Sequence, residues 1–255
     1  MALTILRVVG PIVAGYLIGG IPFGVIIARG IYHMDITKVG SGNTGGTNVF
    51  RNLGWKAGVA VGFLDVTKAI IPTLIAMRVA DPGWGANARD WVAIGAGLAA
   101  VAGHSYSPYF RLRGGKGVAT AGGVAIALMP WVALAVFPLF GLAVLVTRIV
   151  SVASLTAATA YPFLAWVFYP NRPVLTLYAT AAAALVWWRH RSNISRLIKG
   201  EEPRIGKGGL SLRGREALEG KATPAEGAKL ADDVARQAKG SDEGADPSGD
   251  AGDDG

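Results

Sequence analysis

The chain contains no cysteine, which removes disulfides, thiolate nucleophiles and cysteine-ligated metals from consideration. Histidine is nearly as scarce, with three copies in 255 residues. None begins a His-x4-Asp acyltransferase dyad, because Lys38, Tyr109 and Ser195 stand five positions beyond His33, His104 and His190. Neither a Gly-x-Ser-x-Gly nucleophile elbow nor a His-Glu-x-x-His zinc motif occurs. Acidic side chains are also few where the chain is most apolar. Residues 1–206 carry 18 Lys+Arg against 6 Asp+Glu, whereas residues 207–255 carry 7 against 11. If the chain is an enzyme, catalysis has to rest on positioning and on electrostatic stabilisation of a bound group.

What is abundant is apolar sequence. Hydrophobic residues make up 51% of the chain and charged ones 16%, with a mean hydropathy of +0.39, and the apolar residues come in long blocks. That pattern predicts an all-α, polytopic integral membrane helical bundle. Seven transmembrane helices are expected, at 8–28, 55–77, 91–103, 118–129, 131–146, 152–169 and 174–188. The first is read as a retained span, not a signal peptide. The Met129-Pro130-Trp131 break admits two readings: a kink within one helix, or a turn between two, which alone keeps the later polar loops on one face. With seven spans most cations, from Arg29 to Arg204, collect on one side, while Arg7, Arg78, Arg89 and Arg172 lie near the other. The positive-inside rule then makes the N-terminus external and the C-terminus cytoplasmic. Residues 207–255, rich in Gly, Ala, Asp and Lys, are expected to form a disordered cytoplasmic tail outside a membrane-embedded unit at 1–206.

Three polar loops interrupt the spans. Loop one runs Gly-Ser-Gly-Asn-Thr-Gly-Gly-Thr-Asn-Val-Phe-Arg over 40–51; Ser41, Asn43, Thr47 and Asn48 offer hydrogen bonds, and Arg51 a planar fork for two phosphate oxygens. The same residues would also serve a tight turn and a helix cap. Loop two ends in Gly114-Gly115-Lys116-Gly117 directly before an apolar run, placing backbone N–H groups and an ammonium at a helix N-terminus, an arrangement that suits phosphate. It departs from a nucleotide-binding Walker A loop, since Phe110 stands at that motif's first glycine and Gly117 follows the lysine. Loop three is split between Ser151–Ser154 and the His190, Asn193, Glu202 stretch. Asp65 and Lys68 share a helix face within the second span, as a structural pair or as support for the site. A rival function is a transporter or channel for a phosphorylated solute.

In this order the segments resemble the bacterial membrane family of acyl-phosphate:glycerol-3-phosphate acyltransferases. The likeness rests on Gly-Ser-Gly-Asn-x-Gly-x-Thr-Asn-x-x-Arg at 40–51, Asp-x-x-Lys at 65–68, Gly-His at 103–104, and Phe-x-x-x-Gly-Gly-Lys-Gly-Val-Ala-Thr at 110–120. It continues with Ser-x-x-Ser-Leu at 151–155 and His-Arg-x-Asn-Ile-x-Arg-Leu-x-x-Gly-x-Glu at 190–202. It implies a multi-pass enzyme of the bacterial inner membrane, its site facing the cytoplasm, that moves a fatty acyl group from acyl phosphate to the sn-1 hydroxyl of glycerol 3-phosphate. Lysophosphatidic acid and inorganic phosphate would be the products. The family pattern puts Ser41, Lys116, His190 and Asn193 at catalytic positions. Arg51, Asn43, Thr47, Asn48, Gly114, Gly115, Gly117, Ser151, Ser154 and Glu202 are then expected to bind substrate. No metal, cofactor or nucleic-acid partner is expected; the expected partners are glycerol 3-phosphate, acyl phosphate and the lipid bilayer.

Overall fold

The computed structural model describes residues 1–205, so the expected tail lies outside the described residues. Among these residues the chain is all-helical, with ten α-helices and two short 3₁₀ turns. In order the helices are α1 (Ala2–Gly20), α2 (Phe23–Tyr32), α3 (Gly46–Leu53), α4 (Trp55–Val79), α5 (Gly85–Ser105), α6 (Val118–Leu128), α7 (Pro130–Thr147), α8 (Val150–Phe168), α9 (Pro173–Arg189) and α10 (Arg191–Ile198). Among the described residues, four stretches are long and apolar enough to cross a membrane: Ala2–Tyr32, Trp55–Val79, Pro130–Thr147 and Val150–Phe168.

The expected continuous helix over 8–28 is instead two helices. Pro22 offers no N–H and disfavours helical geometry at the preceding residue, and Ile21 adopts φ −58° and ψ 117°. Two carbonyls freed by the break find side chains from other parts of the bundle. Ser107 Oγ donates to Gly20 O at 2.5 Å, and Lys68 Nζ donates to Ile21 O at 2.9 Å. Lys68 also pairs with Asp65 at 2.7 Å, with both side chains buried. The intramembrane lysine therefore caps a broken helix, which accounts for a charge that apolar surroundings would otherwise penalise.

The third expected span is longer than the hydropathy pattern suggested, because α5 extends back to Gly85. Its polar first turns are held by a bidentate pair between Arg172 and the buried Asp90, one arm of which measures 2.8 Å. At the Met129-Pro130 break, α6 and α7 fold back on one another. A methyl placed on Gly122 of α6 would come within 3.0 Å of the Phe137 ring of α7, whereas fifteen residues of continuous helix would separate those positions by ~22 Å. The break is therefore a turn, and loops two and three reach the same end of the bundle.

Helices α1 and α5 pack so closely that their backbones meet. A Cβ on Gly19 would lie 2.2 Å from Ala100 O, and one on Gly103 2.2 Å from Tyr16 O. Small residues at such contacts are the usual means of bringing membrane helices together. The main apolar core is built from helices α4 to α9, with Ala93, Val101, Val124, Leu175 and Tyr178 almost fully buried. At the outer edge, Leu134, Leu142, Leu145 and Val146 of α7 remain exposed, as expected of a lipid-facing helix.

Candidate functional site

A cavity of about 480 Å³ opens at the end of the bundle where the three loops meet. Its polar mouth holds Ser41 and Arg51 from loop one, Lys116 and Gly117 from loop two, and Ser151, Ser154, His190, Asn193 and Glu202 from loop three. Its deeper wall is apolar, formed in part by Phe137, Phe140, Tyr161 and Ala182.

Loop one owes its shape to Asn48, which is buried. Its Nδ2 donates to Ile36 O, Val39 O and Asn43 O at 3.0, 3.1 and 2.9 Å, and its Oδ1 accepts from Ser41 N at 3.1 Å. Asn43 Oδ1 in turn accepts from Gly45 N at 2.9 Å, just before α3 begins. Both asparagines, expected to bind substrate, line the cavity while these bonds hold the loop. The arrangement leaves the Ser41 side chain exposed. Thr47 and Arg51 sit on α3, where the sequence suggested only a loop. Arg51 donates through Nη2 to Pro203 O at 3.0 Å, while its buried Nε has no partner among the described residues. An unsatisfied buried cation donor beside a cavity is suited to an anionic oxygen.

Loop two delivers Lys116 to the cavity. Gly117 caps α6 in the left-handed region at φ +83°, where a side chain would be strained, and the helix starts with its first N–H groups free. Gly114 and Gly115 do not line the cavity. They lie behind it, against His104. The Lys116 ammonium donates to Asn193 Oδ1. Burial pushes Lys116 down from the ordinary value of 10.5 to about 8; Glu202 opposes the shift, and Arg196, Arg51 and Arg189 reinforce it.

Loop three is organised by Glu202, which returns to the site after α10. Its carboxylate accepts from Ser151 Oγ at 2.9 Å, Asn193 Nδ2 at 2.6 Å and Arg196 Nε at 2.7 Å. Burial acts to raise its pKa, but these bonds to the ionised form prevail and hold it below the usual value. The Ser154 hydroxyl donates to Val150 O at 2.8 Å. Both loop-three serines thus line the cavity with their protons committed to protein acceptors. His190 is placed by a 2.7 Å contact between Nδ1 and Val186 O. A carbonyl can only accept, so Nδ1 carries the hydrogen and Nε2 is left with a lone pair. Burial first and Lys116 second lower the His190 pKa to about 4, which keeps the ring neutral at pH 7.

The structure also recruits residues outside the expected site set. Asp65 and His104 line the inner wall of the same cavity, with His104 Nδ1 3.4 Å from Asp65 Oδ1. Arg189, one residue before His190, binds the carbonyls of Gly114 and Gly115. Nothing in a run of basic residues past the last span marks one of them as facing inward. Among the described residues no group of three or more His, Cys, Asp or Glu side chains could hold a metal ion.

An end-on polar mouth rich in fixed cations, opening into an apolar chamber inside a helical membrane bundle, defines a membrane protein built to hold an anionic head and a lipid tail. A family model described as glycerol-3-phosphate acyltransferase matches residues 9–200, and the chain belongs to that family. It is 46% identical to the glycerol-3-phosphate acyltransferase of Aquifex aeolicus over 196 residues, covering 76% of this chain and 97% of the relative. It is 43% identical to one from Thermus thermophilus over 193 residues, covering 75% and 92%. Among solved structures it is similar to the glycerol 3-phosphate form of PlsY, an integral membrane glycerol 3-phosphate acyltransferase. That match has a TM-score of 0.71 and 43% identity, and covers 78% of this chain and 96% of the other. The lysophosphatidic acid form of PlsY matches with a TM-score of 0.67 and 39% identity, covering 83% and 98%.

Proposed function

We propose that the cavity transfers a fatty acyl group from acyl phosphate to the sn-1 hydroxyl of glycerol 3-phosphate, releasing lysophosphatidic acid and inorganic phosphate. The observation that carries this reading is the pairing of Lys116, the unpartnered Arg51 Nε and the free N-terminal amides of α6 with an apolar chamber behind them. Both substrates bear phosphate, which the cations and amides neutralise and orient. The chamber walled by Phe137, Phe140 and Tyr161 suits an acyl chain and not a hydrophilic solute in transit.

The acyl donor is already activated, so the glycerol hydroxyl attacks its carbonyl directly. The new ester C–O bond forms as the bond to phosphate breaks, and the departing phosphate takes up the hydroxyl proton. A neutral His190 with a pKa of about 4 is a weak base at pH 7; it holds the hydroxyl through its Nε2 lone pair. Ser41 and Asn193 flank the reacting groups, and Glu202 fixes Asn193 and Ser151. Residues 1–206 form the membrane-embedded enzyme, crossing seven times in the bacterial inner membrane with the N-terminus external. The site faces the cytoplasm, an orientation supported by the cations gathered around it.

The test is purified protein in nanodiscs given glycerol 3-phosphate with palmitoyl phosphate or palmitoyl-CoA. Lysophosphatidic acid formed from acyl phosphate alone, and abolished in Lys116→Ala, is expected. No product from either donor, or equal product from both, overturns the assignment.

A further inference from the structure

The Gly114–Gly115 turn is gripped from two sides by groups outside the mechanism above. Arg189 of α9 donates through Nη2 to Gly114 O at 3.1 Å and Gly115 O at 3.0 Å, and through Nε to Gly115 O at 3.2 Å. Its guanidinium carbon lies 5.1 Å from the centre of the Tyr106 ring, a stacking contact available to arginine's planar head. On the other side, the His104 carbonyl of α5 accepts the Gly115 N–H at 3.0 Å. The fit there is close: a methyl on Gly115 would lie 1.9 Å from His104 Nε2, and one on Gly114 2.0 Å from His104 O. The imidazole is anchored in turn by Asp65 at 3.4 Å and Asp65 by Lys68 at 2.7 Å. The same Lys68 caps the carbonyl exposed by the α1–α2 break.

This grip fixes the direction of two peptides. In a trans peptide the C=O and N–H point to opposite sides. The Gly114–Gly115 peptide is stretched accordingly, its oxygen on Arg189 and its N–H on His104. With Gly115 O also on Arg189, the Lys116 N–H faces away from that arginine. Two adjacent glycines would otherwise rotate freely, and reversing the Gly115–Lys116 peptide would turn a carbonyl oxygen toward the cavity that Lys116 lines, where a phosphate oxygen has to approach. Of the groups that hold the turn, only Arg189 has a fork able to satisfy two neighbouring carbonyls.

We propose that Arg189 and the Asp65–His104 pair are positioning residues that lock the 114–117 turn into its phosphate-receiving orientation. Arg189 stands outside the cavity lining and acts through the turn, while His104, at the cavity's inner wall, acts by packing its ring against Gly115. The inference rests on the phosphate reading of loop two.

The experiment uses the full chain in nanodiscs, with inorganic phosphate as a competing probe beside KM measurements for both substrates and a thermal midpoint. In Arg189→Gln the inhibition constant for phosphate and at least one substrate KM are expected to rise about tenfold or more, the effect of losing charge-assisted hydrogen bonds, with a smaller change in kcat. Arg189→Lys should recover only part of this, because an ammonium lacks the planar fork. His104→Gln should move the phosphate constant in the same direction. Unchanged phosphate inhibition in both Arg189→Gln and His104→Gln, while Lys116→Ala still weakens it, overturns the clamp and leaves the phosphate reading standing. Unchanged inhibition in Lys116→Ala overturns the phosphate reading and the clamp with it. Losses in Arg189→Gln that only parallel a falling midpoint, with no split between KM and kcat, reduce the arginine to a structural contact and also overturn the proposal.

Discussion

Glu202 and Ser151 lie 51 positions apart in the chain and 2.9 Å apart in space. With Asn193 donating to the same carboxylate at 2.6 Å and accepting from Lys116, they join the start of α8, the helix after α9 and the phosphate loop into one network. Replacing Glu202 with Gln removes the charge that balances Lys116 and Arg196. Charge-assisted hydrogen bonds contribute about 1.5–3 kcal/mol each, so kcat/KM should fall roughly ten- to a hundredfold, with a lower thermal midpoint. Wild-type kinetics in this variant would show that the network is incidental.

The pH dependence should be asymmetric. Lys116 is cationic below its pKa and neutral above it, and burial has moved that point from 10.5 to about 8. The kcat/KM of the free enzyme should therefore decline as pH rises through about 8. Lys116→Arg should retain charge throughout this range and lose the limb. A limb that persists in Lys116→Arg belongs to another group.

His190 should leave no signature near neutrality. With its pKa lowered to about 4 by burial and Lys116, it is already neutral across pH ~5.5–7.5. His190→Asn is expected to lower kcat while the shape of the profile in that window stays the same. Disappearance of an acid limb at pH ~6–7 in the variant would instead identify histidine as the proton acceptor.

Helix contact should dominate stability at the α1–α5 interface. A Cβ on Gly19 would lie 2.2 Å from Ala100 O, backbone that cannot move aside cheaply. Gly19→Leu should lower the midpoint by an amount corresponding to about 1–3 kcal/mol or more of overpacking. Gly141, with open space around its would-be Cβ, should accept alanine without such a change. Equal midpoints for the two variants would contradict the packing described.

At the opposite end from the site, Arg172 neutralises the buried Asp90. Arg172→Ala should destabilise by about 1–3 kcal/mol through the unpaired carboxylate, and the added change Asp90→Ala should restore part of it. Substrate KM should not move in either variant. A shift in KM would mean that the two ends of the bundle communicate.

Much of this protein was legible in one dimension. The helical class follows from long apolar blocks, because a backbone in hydrocarbon must satisfy its own hydrogen bonds. The phosphate-suited loops were visible because glycines, hydroxyls and cations cluster at their boundaries. The starts of α7 and α9 at Pro130 and Pro173 matched expectation closely, since proline suits a first helical turn. Other features were illegible because each depends on a partner distant in sequence. The first apolar block looked continuous, since hydropathy does not register that Lys68 and Ser107 are available to take the carbonyls released at Pro22. The Met129-Pro130 break reads equally as a turn or a kink in one dimension, and only the meeting of Gly122 with Phe137 makes it a turn.

The class of fold, the order of the loops and the residue types at the site depend on composition and short spacing, and so could be read along the chain. Tertiary structure alone decided which of those residues face the cavity and which support it. It committed Asn48 to holding loop one, turned the protons of Ser151 and Ser154 toward protein acceptors, and brought Arg189, His104 and Asp65 behind the phosphate loop. The physical reason is that a hydrogen bond or ion pair is satisfied in three dimensions by whichever partner packing brings within reach, and no local pattern specifies a partner dozens of residues away.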